Sequence, residues 1–279
     1  MAAAGTLALV LAGASLQPLA AADTTSAQTE KSGAADLLNQ KIEDFSEQFA
    51  NGVKNSKDLQ KVIQKAVEIA KTPNHTVKPT GAPEYRFGYT ESFLNAIRSG
   101  SSRLYFASGA NTEADYSLGE VVYDYCGLAS GGAYYTGQDG NGFFLEIVPG
   151  DFQALSAAVA SSDAQWAAYS GQVADAVKTL NLKCSDRELV DQINQYIVDN
   201  YDYVLTNQAN MPNFMASHQG QCWHYAKLFA DMCNSVGIPA AKVENPQHAW
   251  DTVTVDGTTY TFDPTFNDLE GNPTAYTWQ

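Results

Sequence analysis

Asp256-Gly257 stands between two runs rich in β-branched and aromatic residues, 248–255 and 258–263. A two-residue Asp-Gly connection is the turn a tight β-hairpin prefers, because its central positions need backbone that these residues tolerate. The turn sets the register. Val255 opposes Thr258, and counting outward along both strands brings Trp250 opposite Asp263. His248 lies two residues before Trp250, on the same side of the sheet. It is therefore diagonal to Asp263, about 7–8 Å away between backbones and within reach of an imidazole and a carboxylate. The opposite face carries Val253, Val255, Tyr260 and Phe262, a set expected to cover a core. A slip of one residue would part the histidine from the aspartate.

Ser185-Asp186-Arg187-Glu188 has the form of a capping box, with Ser at the cap and Glu three residues on. Leu189, Ile193, Tyr196, Ile197 and Val198 follow on one helical face. Residues 206–220 carry Asn, Pro and Gly and read as a loop. A second helix is expected over 222–236, closed by Gly237 and kept from resuming by Pro239, and 240–244 reads as a strand. Cys222 begins that helix, where a thiol meets the positive end of the dipole. A neighbouring histidine can take its proton, and an aspartate can orient the histidine. Cys222, His248 and Asp263 are thus the candidate catalytic residues, suited to attack on an amide or thioester carbonyl. Gln221, Trp223 and Trp250 flank them and are the candidate substrate-binding residues.

Three ordered blocks carry a family resemblance: Gly220-Gln221-Cys222-Trp223-His224-Tyr225-Ala226, His248-Ala249-Trp250, and Tyr260-Thr261-Phe262-Asp263-Pro264-Thr265. Over residues 185–268 the chain resembles the transglutaminase-like superfamily, and its secreted bacterial members in particular. The resemblance implies an α+β, papain-like core in which a nucleophile helix packs on an antiparallel sheet. It implies Cys222 as nucleophile, His248 as general base and acid, and Asp263 as the residue orienting the imidazole. It also implies a secreted thiol enzyme acting on protein or peptide substrates, cell-wall peptides among them, by hydrolysis or by acyl transfer to an amine. A non-catalytic surface or assembly protein that keeps the fold for binding is the alternative. The chain departs from the pattern in three respects. Asp251 stands where bacterial members often have Asn, the connection from Val243 to His248 is short, and no side-chain oxyanion donor falls inside the matched blocks. The backbone N–H of Cys222 is then the default donor.

The rest of the chain sets boundaries around this reading. Residues 1–22 carry no charge, run through an apolar Leu7–Leu11 stretch and end in Ala20-Ala21-Ala22, as in a secretory signal peptide, although no Lys or Arg precedes the apolar run. No later segment is apolar enough to span a bilayer. The polar stretch 23–33 reads as a linker. Leu38, Ile42, Phe45, Phe49 and Val53 mark one amphipathic helix, and Leu59, Val62, Ile63, Ala66 and Val67 a second, stopped by Thr72-Pro73. The expected division is 1–22 signal peptide, 23–83 linker and helical segment, 84–180 a mixed α+β region, and 181–279 the transglutaminase-like domain. Within 84–150 a helix is expected near 91–99 and strands near 103–107 and 143–148, the last after the turn Asp139-Gly140-Asn141-Gly142. This half offers no recognisable chemistry and reads as a packing or positioning region.

With 31 acidic and 16 basic side chains the net charge is −15, which disfavours nucleic acid as a partner. No cysteine and histidine pattern has zinc-ligand spacing, so neither metal nor cofactor is expected. Cys233, eleven residues beyond Cys222, is too far along one helix to bridge to it and is expected in the core. Cys126 and Cys184 remain the candidate disulfide, although four cysteines permit other pairings. His224 is read as a surface or supporting residue, His218 as a loop residue that could line the cleft, and His75, beside Pro73, as solvated.

Overall fold

A computed structural model of the chain describes residues 40–45, 56–205 and 210–279. The expected leader, the linker 23–33, and Leu38, Phe49 and Val53 of the first expected helix lie outside the described residues. The chain divides into two compact units, one formed by the part before residue 77 together with 181–185, the other by 77–180 and 186–279.

In the first unit residues 40–45 are helical, and α1 covers Ser56–Ala70, ending just before Thr72-Pro73. Lys41 Nζ donates to Thr72 Oγ1 at 3.2 Å. Two expectations change here. His75 is buried rather than solvated, because Asn74 N–H donates to the Leu182 carbonyl and the imidazole Nε2 lies 2.9 Å from the Cys184 carbonyl. The disulfide expected between Cys126 and Cys184 is not formed. All four cysteines are thiols, and Cys184 Sγ donates instead to the Asn181 carbonyl at 3.0 Å.

The second unit is α+β. It begins with α2 (Thr90–Arg98), β1 (Arg103–Phe106) and α3 (Asn111–Glu120), which runs into a π-helical turn, Val121–Tyr125. The hairpin β2 (Tyr134–Asp139) and β3 (Gly142–Ile147) completes an antiparallel sheet of order β1-β3-β2. Its turn is the one expected, with Asp139 opposite Gly142 and Asp139 Oδ1 accepting from Asn141 N–H at 2.8 Å. The 30-residue α4 (Pro149–Lys178) follows. Next come α5 (Asp186–Asn200), β4 (Asp202–Tyr203), α6 (Met211–Ser217), β5 (Gln219–Gly220) and α7 (Cys222–Ser235). A second antiparallel sheet, β6 (Ala240–Glu244), β7 (Ala249–Val255) and β8 (Thr258–Phe262), and a short α8 (Pro264–Leu269) end the chain's elements.

The stretch read as a loop thus contains α6. The residues that suggested a loop are helix-start residues here. The Asn210 side chain accepts from Asn213 N–H at 2.8 Å, Pro212 occupies the first turn, and Met211 and Phe214 are buried. At its far end His218 takes a left-handed conformation, φ 58°, and its N–H returns to the Phe214 carbonyl.

The centre of this unit is α7. Every residue from 224 to 233 is buried, and the helix packs against α4, α5 and α8 and against β6 and β7. A helix apolar around nearly its whole circumference has to lie inside, enclosed on all sides. Its C-terminal half carries Cys233, which burial holds protonated well above the ordinary thiol range. The hairpin has the expected register, from Val255 opposite Thr258 to Asp251 opposite Phe262. Along β7 burial alternates strictly, with Ala249, Asp251, Val253 and Val255 buried.

Candidate active site

Three local devices place Cys222. The parallel pair β4–β5 anchors the segment before it, with Val204 N–H donating to the Gly220 carbonyl at 2.8 Å. Gly220 has no room for a side chain, since a Cβ there would lie 2.5 Å from the Phe214 ring and 3.0 Å from His224 Nδ1. Gln221 N–H then donates to His224 Nδ1 at 2.9 Å, closing the first turn of α7. His224 is therefore buried, contrary to a surface position, and lies between the rings of Trp223 and Phe214 at 4.0 and 5.2 Å. Cys222 is partly exposed at the start of the helix, while Cys126, Cys184 and Cys233 are buried.

His248 is held from the other side. The short connection before it is closed by Asn245, whose Oδ1 accepts from Gln247 N–H at 2.8 Å and His248 N–H at 2.9 Å. The imidazole lies against Phe266 at 4.7 Å and Trp250 at 6.0 Å. Its Nε2 is 2.6 Å from Asp263 Oδ2. The other oxygen of Asp263 caps α8, accepting from Phe266 N–H at 3.0 Å. One carboxylate, almost fully buried, both starts a helix and fixes the imidazole plane. The sequence pair Asp263-Pro264 carries this signal, a capping residue followed by proline in the first turn.

Cys222 and His248 line one cavity of about 230 Å³, together with Gln221 and Trp223. Trp250 does not line it. That ring borders a separate groove with Asp263, Phe266 and Tyr276. The far wall of the cavity comes from residues in which the sequence showed no chemistry: Pro83 to Arg86, Glu120, Asp124, Tyr125 and Trp166. These residues, read as part of a separate region, share a compact unit with α7 and the second sheet.

The far wall is joined to α7 through charge. Lys227, 4% exposed, donates to both carboxylate oxygens of Asp231 at 3.0 and 2.9 Å and pairs with Glu84 Oε1 at 3.3 Å. Tyr169 Oη donates to Asp231 at 2.7 Å. Lys242 takes the other oxygen of Glu84 at 3.3 Å and Glu244 at 2.9 Å. Burial works against the charge of Glu84, but Lys227 and Lys242 together hold it below the usual carboxylate range. Arg86 pairs with Glu120 and Asp124. The i,i+4 pair Lys227 and Asp231 on an otherwise apolar helix was the one sequence signal of this network.

Asp251, the residue that departs from the bacterial pattern, lies behind the site. It is fully buried, opposite Lys242 on one side and Phe262 on the other, and neither carboxylate oxygen has a hydrogen-bond partner among the described residues. Burial, reinforced by the Asp263 charge, pushes its carboxyl well above the ordinary range. Among the described residues no group of three or more His, Cys, Asp or Glu is placed to hold a metal ion, and no helix is long and apolar enough to cross a membrane.

The family model described as the transglutaminase-like superfamily matches residues 174–264. Two solved structures are similar over part of the chain. One is a candidate cysteine protease from Cytophaga hutchinsonii, 20% identical, covering 36% of this chain and 37% of that one at a TM-score of 0.28. The other is a TGase, 14% identical, covering 47% of this chain and 43% of that one at a TM-score of 0.31. The chain thus spans less than half of either solved protein. No curated protein matches it.

Proposed function

We propose that the protein is a thiol enzyme acting on amide or peptide carbonyls, on the premise that residues 174–264, which match the transglutaminase-like superfamily, form its papain-like α+β core. The observation that carries the proposal is the 2.6 Å contact from His248 Nε2 to Asp263, in a histidine that lines the same cavity as Cys222 at the start of α7. Asp263 fixes the ring so that Nδ1 is left for the thiol. His248 takes the Cys222 proton, and the helix N-terminus favours the thiolate that results. The sulfur attacks the carbonyl carbon, and the negative oxygen is met by the backbone N–H of Cys222, one of the groups a helix start leaves without an intrahelical partner. The C–N bond breaks as His248 returns the proton to the departing amine, leaving a thioester. Water, or a second amine, attacks the thioester with the same histidine as base and frees the thiol. Hydrolysis of a peptide or amide, with cell-wall peptides among the substrates, is the preferred outcome over cross-linking. The leader-like residues 1–22 support action outside the cell.

Alkylation tests this reading. Iodoacetamide at pH 7 is expected to label Cys222 selectively, with the three buried cysteines protected in the folded protein. His248→Ala should slow that labelling about tenfold or more while circular dichroism stays unchanged. If Cys222 reacts no faster than free cysteine and ignores the loss of His248, the thiol-enzyme reading fails and the binding-protein reading replaces it.

A further inference from the structure

The sheet that leads into His248 has an open edge beside the cavity. Its order is β6-β7-β8, and among the described residues β6 pairs with β7 alone. Antiparallel partners alternate between pairs that exchange hydrogen bonds and pairs that do not. Asn245 N–H donates to the His248 carbonyl at 2.9 Å, and Thr254 N–H to the Pro239 carbonyl at 2.8 Å. Both ends of β6 therefore fix the same phase. Ala241 and Val243 bond to β7, and the N–H and C=O groups of Ala240, Lys242 and Glu244 point away from it. One side chain takes up the outward groups of Ala240. Asn234 accepts from Ala240 N–H at 3.1 Å and donates to its carbonyl at 2.9 Å, the two bonds a neighbouring strand would make. No described residue does the same for the main chain of Lys242 and Glu244. Both line the cavity with Cys222 and His248, and Glu244 precedes the residue that faces His248. Their side-chain charges are already paired, Lys242 with Glu84 and Glu244, so the main chain is what this wall has left to offer. Unpaired main-chain groups along a sheet edge are a template for another extended chain.

We propose that the open edge of β6 is the docking strand for the substrate: an extended polypeptide segment pairs through its main chain with Lys242 and Glu244 and brings its carbonyl to Cys222. The proposal rests on the thiol-enzyme reading for that carbonyl. It narrows the substrate to chains that can extend, polypeptides rather than small amides, and makes recognition depend on peptide groups instead of side-chain charge. Asn234 closes the edge at Ala240, so pairing is confined to the end of β6 nearest His248.

Cys222 serves as the reporter. Acetyl-Ala-Ala-Ala chloromethyl ketone and chloroacetone carry the same reactive group, one with a peptide main chain and one without. Their rates of labelling are measured, each relative to free cysteine, with peptide mapping of the product. The peptide reagent is expected to be favoured about 25-fold, two main-chain hydrogen bonds at about fivefold each. Glu244→Pro removes the outward N–H and spares the bonds to β7, since an edge strand accepts proline where the N–H faces away from the ladder. Glu244→Ala loses the same side chain and keeps the N–H. The peptide advantage should be about fivefold smaller in the proline variant than in the alanine variant. Amide hydrogen exchange in the parent protein tests the edge without any variant. The Lys242 and Glu244 amides should exchange fast in the free protein, slow down after labelling with the peptide reagent, and stay fast after labelling with chloroacetone. Equal peptide advantages in the two variants, or amides that the peptide reagent leaves unprotected, overturn the proposal. Protection in the free protein that rises with protein concentration would give the edge to a second copy of the chain and overturn it as well. Because chloromethyl ketones need a thiol but no turnover, a failed His248→Ala test would overturn catalysis and leave this result standing.

Discussion

On one side of the cavity the candidate catalytic groups are held by neighbours close in sequence. Gln221 is tied to His224 three residues on, and His248 to Asp263 fifteen residues on. On the other side Arg86 meets Asp124 across 38 residues, and Tyr169 meets Asp231 across 62. The first wall can keep its geometry through a turn, a cap and a register. The second exists only when the whole unit is folded, because its charges are stabilised by partners from distant elements. Chemistry and stability are therefore expected to separate between the walls.

Asp263→Asn tests the first wall and carries the largest expected effect. Asn is as good a helix cap as Asp, so α8 should keep its start and the melting temperature should barely move. The imidazole loses its charged partner, and peptide or amide turnover should fall on the order of 10³–10⁴-fold. Asp263→Ala removes the cap as well and should cost about 1 kcal/mol of stability in addition. Steady-state kinetics beside thermal melts of both variants gives the comparison. Near-normal turnover in Asp263→Asn would remove Asp263 from the proposed mechanism.

Lys227→Met tests the second. It leaves Asp231 buried with only the Tyr169 hydroxyl, and should destabilise the fold by about 3–5 kcal/mol. Adding Asp231→Leu should recover much of that loss, since the penalty lies in the orphaned carboxylate rather than in the missing pair. Urea denaturation of the single and double variants measures it. Equal losses in both would mean that packing of the lysine stem, not charge, holds this wall.

The same division decided what was legible in the sequence. The hairpin register, both boundaries of α7 and the position of His248 beside Asp263 depend on spacing within some forty residues, and spacing is visible in a string. Asn210 and Pro212 were legible too, but they favour a turn and a helix start equally, and only the burial of Met211 and Phe214 selects the helix. The long helix α4 escaped because Ala and Ser fill so much of its surface that no apolar stripe is delimited. The burial of His75 and of His224 was hidden for a related reason. A histidine becomes buried when a distant ring or carbonyl covers it, and the chain does not record that cover. Glu84, Arg86 and Asp124 left no trace at all, since charged residues in a non-repeating stretch look like any solvated surface.

Asp251→Asn sharpens the comparison from behind the first wall, with the smallest effect. The unfolded carboxyl releases its proton near pH 4. The folded one, raised by burial, keeps it. Above pH 4 the unfolded state therefore binds fewer protons than the folded state, and stability falls as pH rises until the folded carboxyl itself titrates. The slope is at most about 1.4 kcal/mol per pH unit. Asn does not titrate, so the variant should match the parent near pH 4 and be the more stable protein at pH 7. Its turnover should change little, because Asp251 alternates with Trp250 along β7 and points into the core rather than to the imidazole. Urea denaturation at pH 4, 5.5 and 7 checks this. Parallel stability curves for the two proteins would show that Asp251 is ionised in the fold, and that Lys242 opposite it compensates a charge the hydrogen bonds do not.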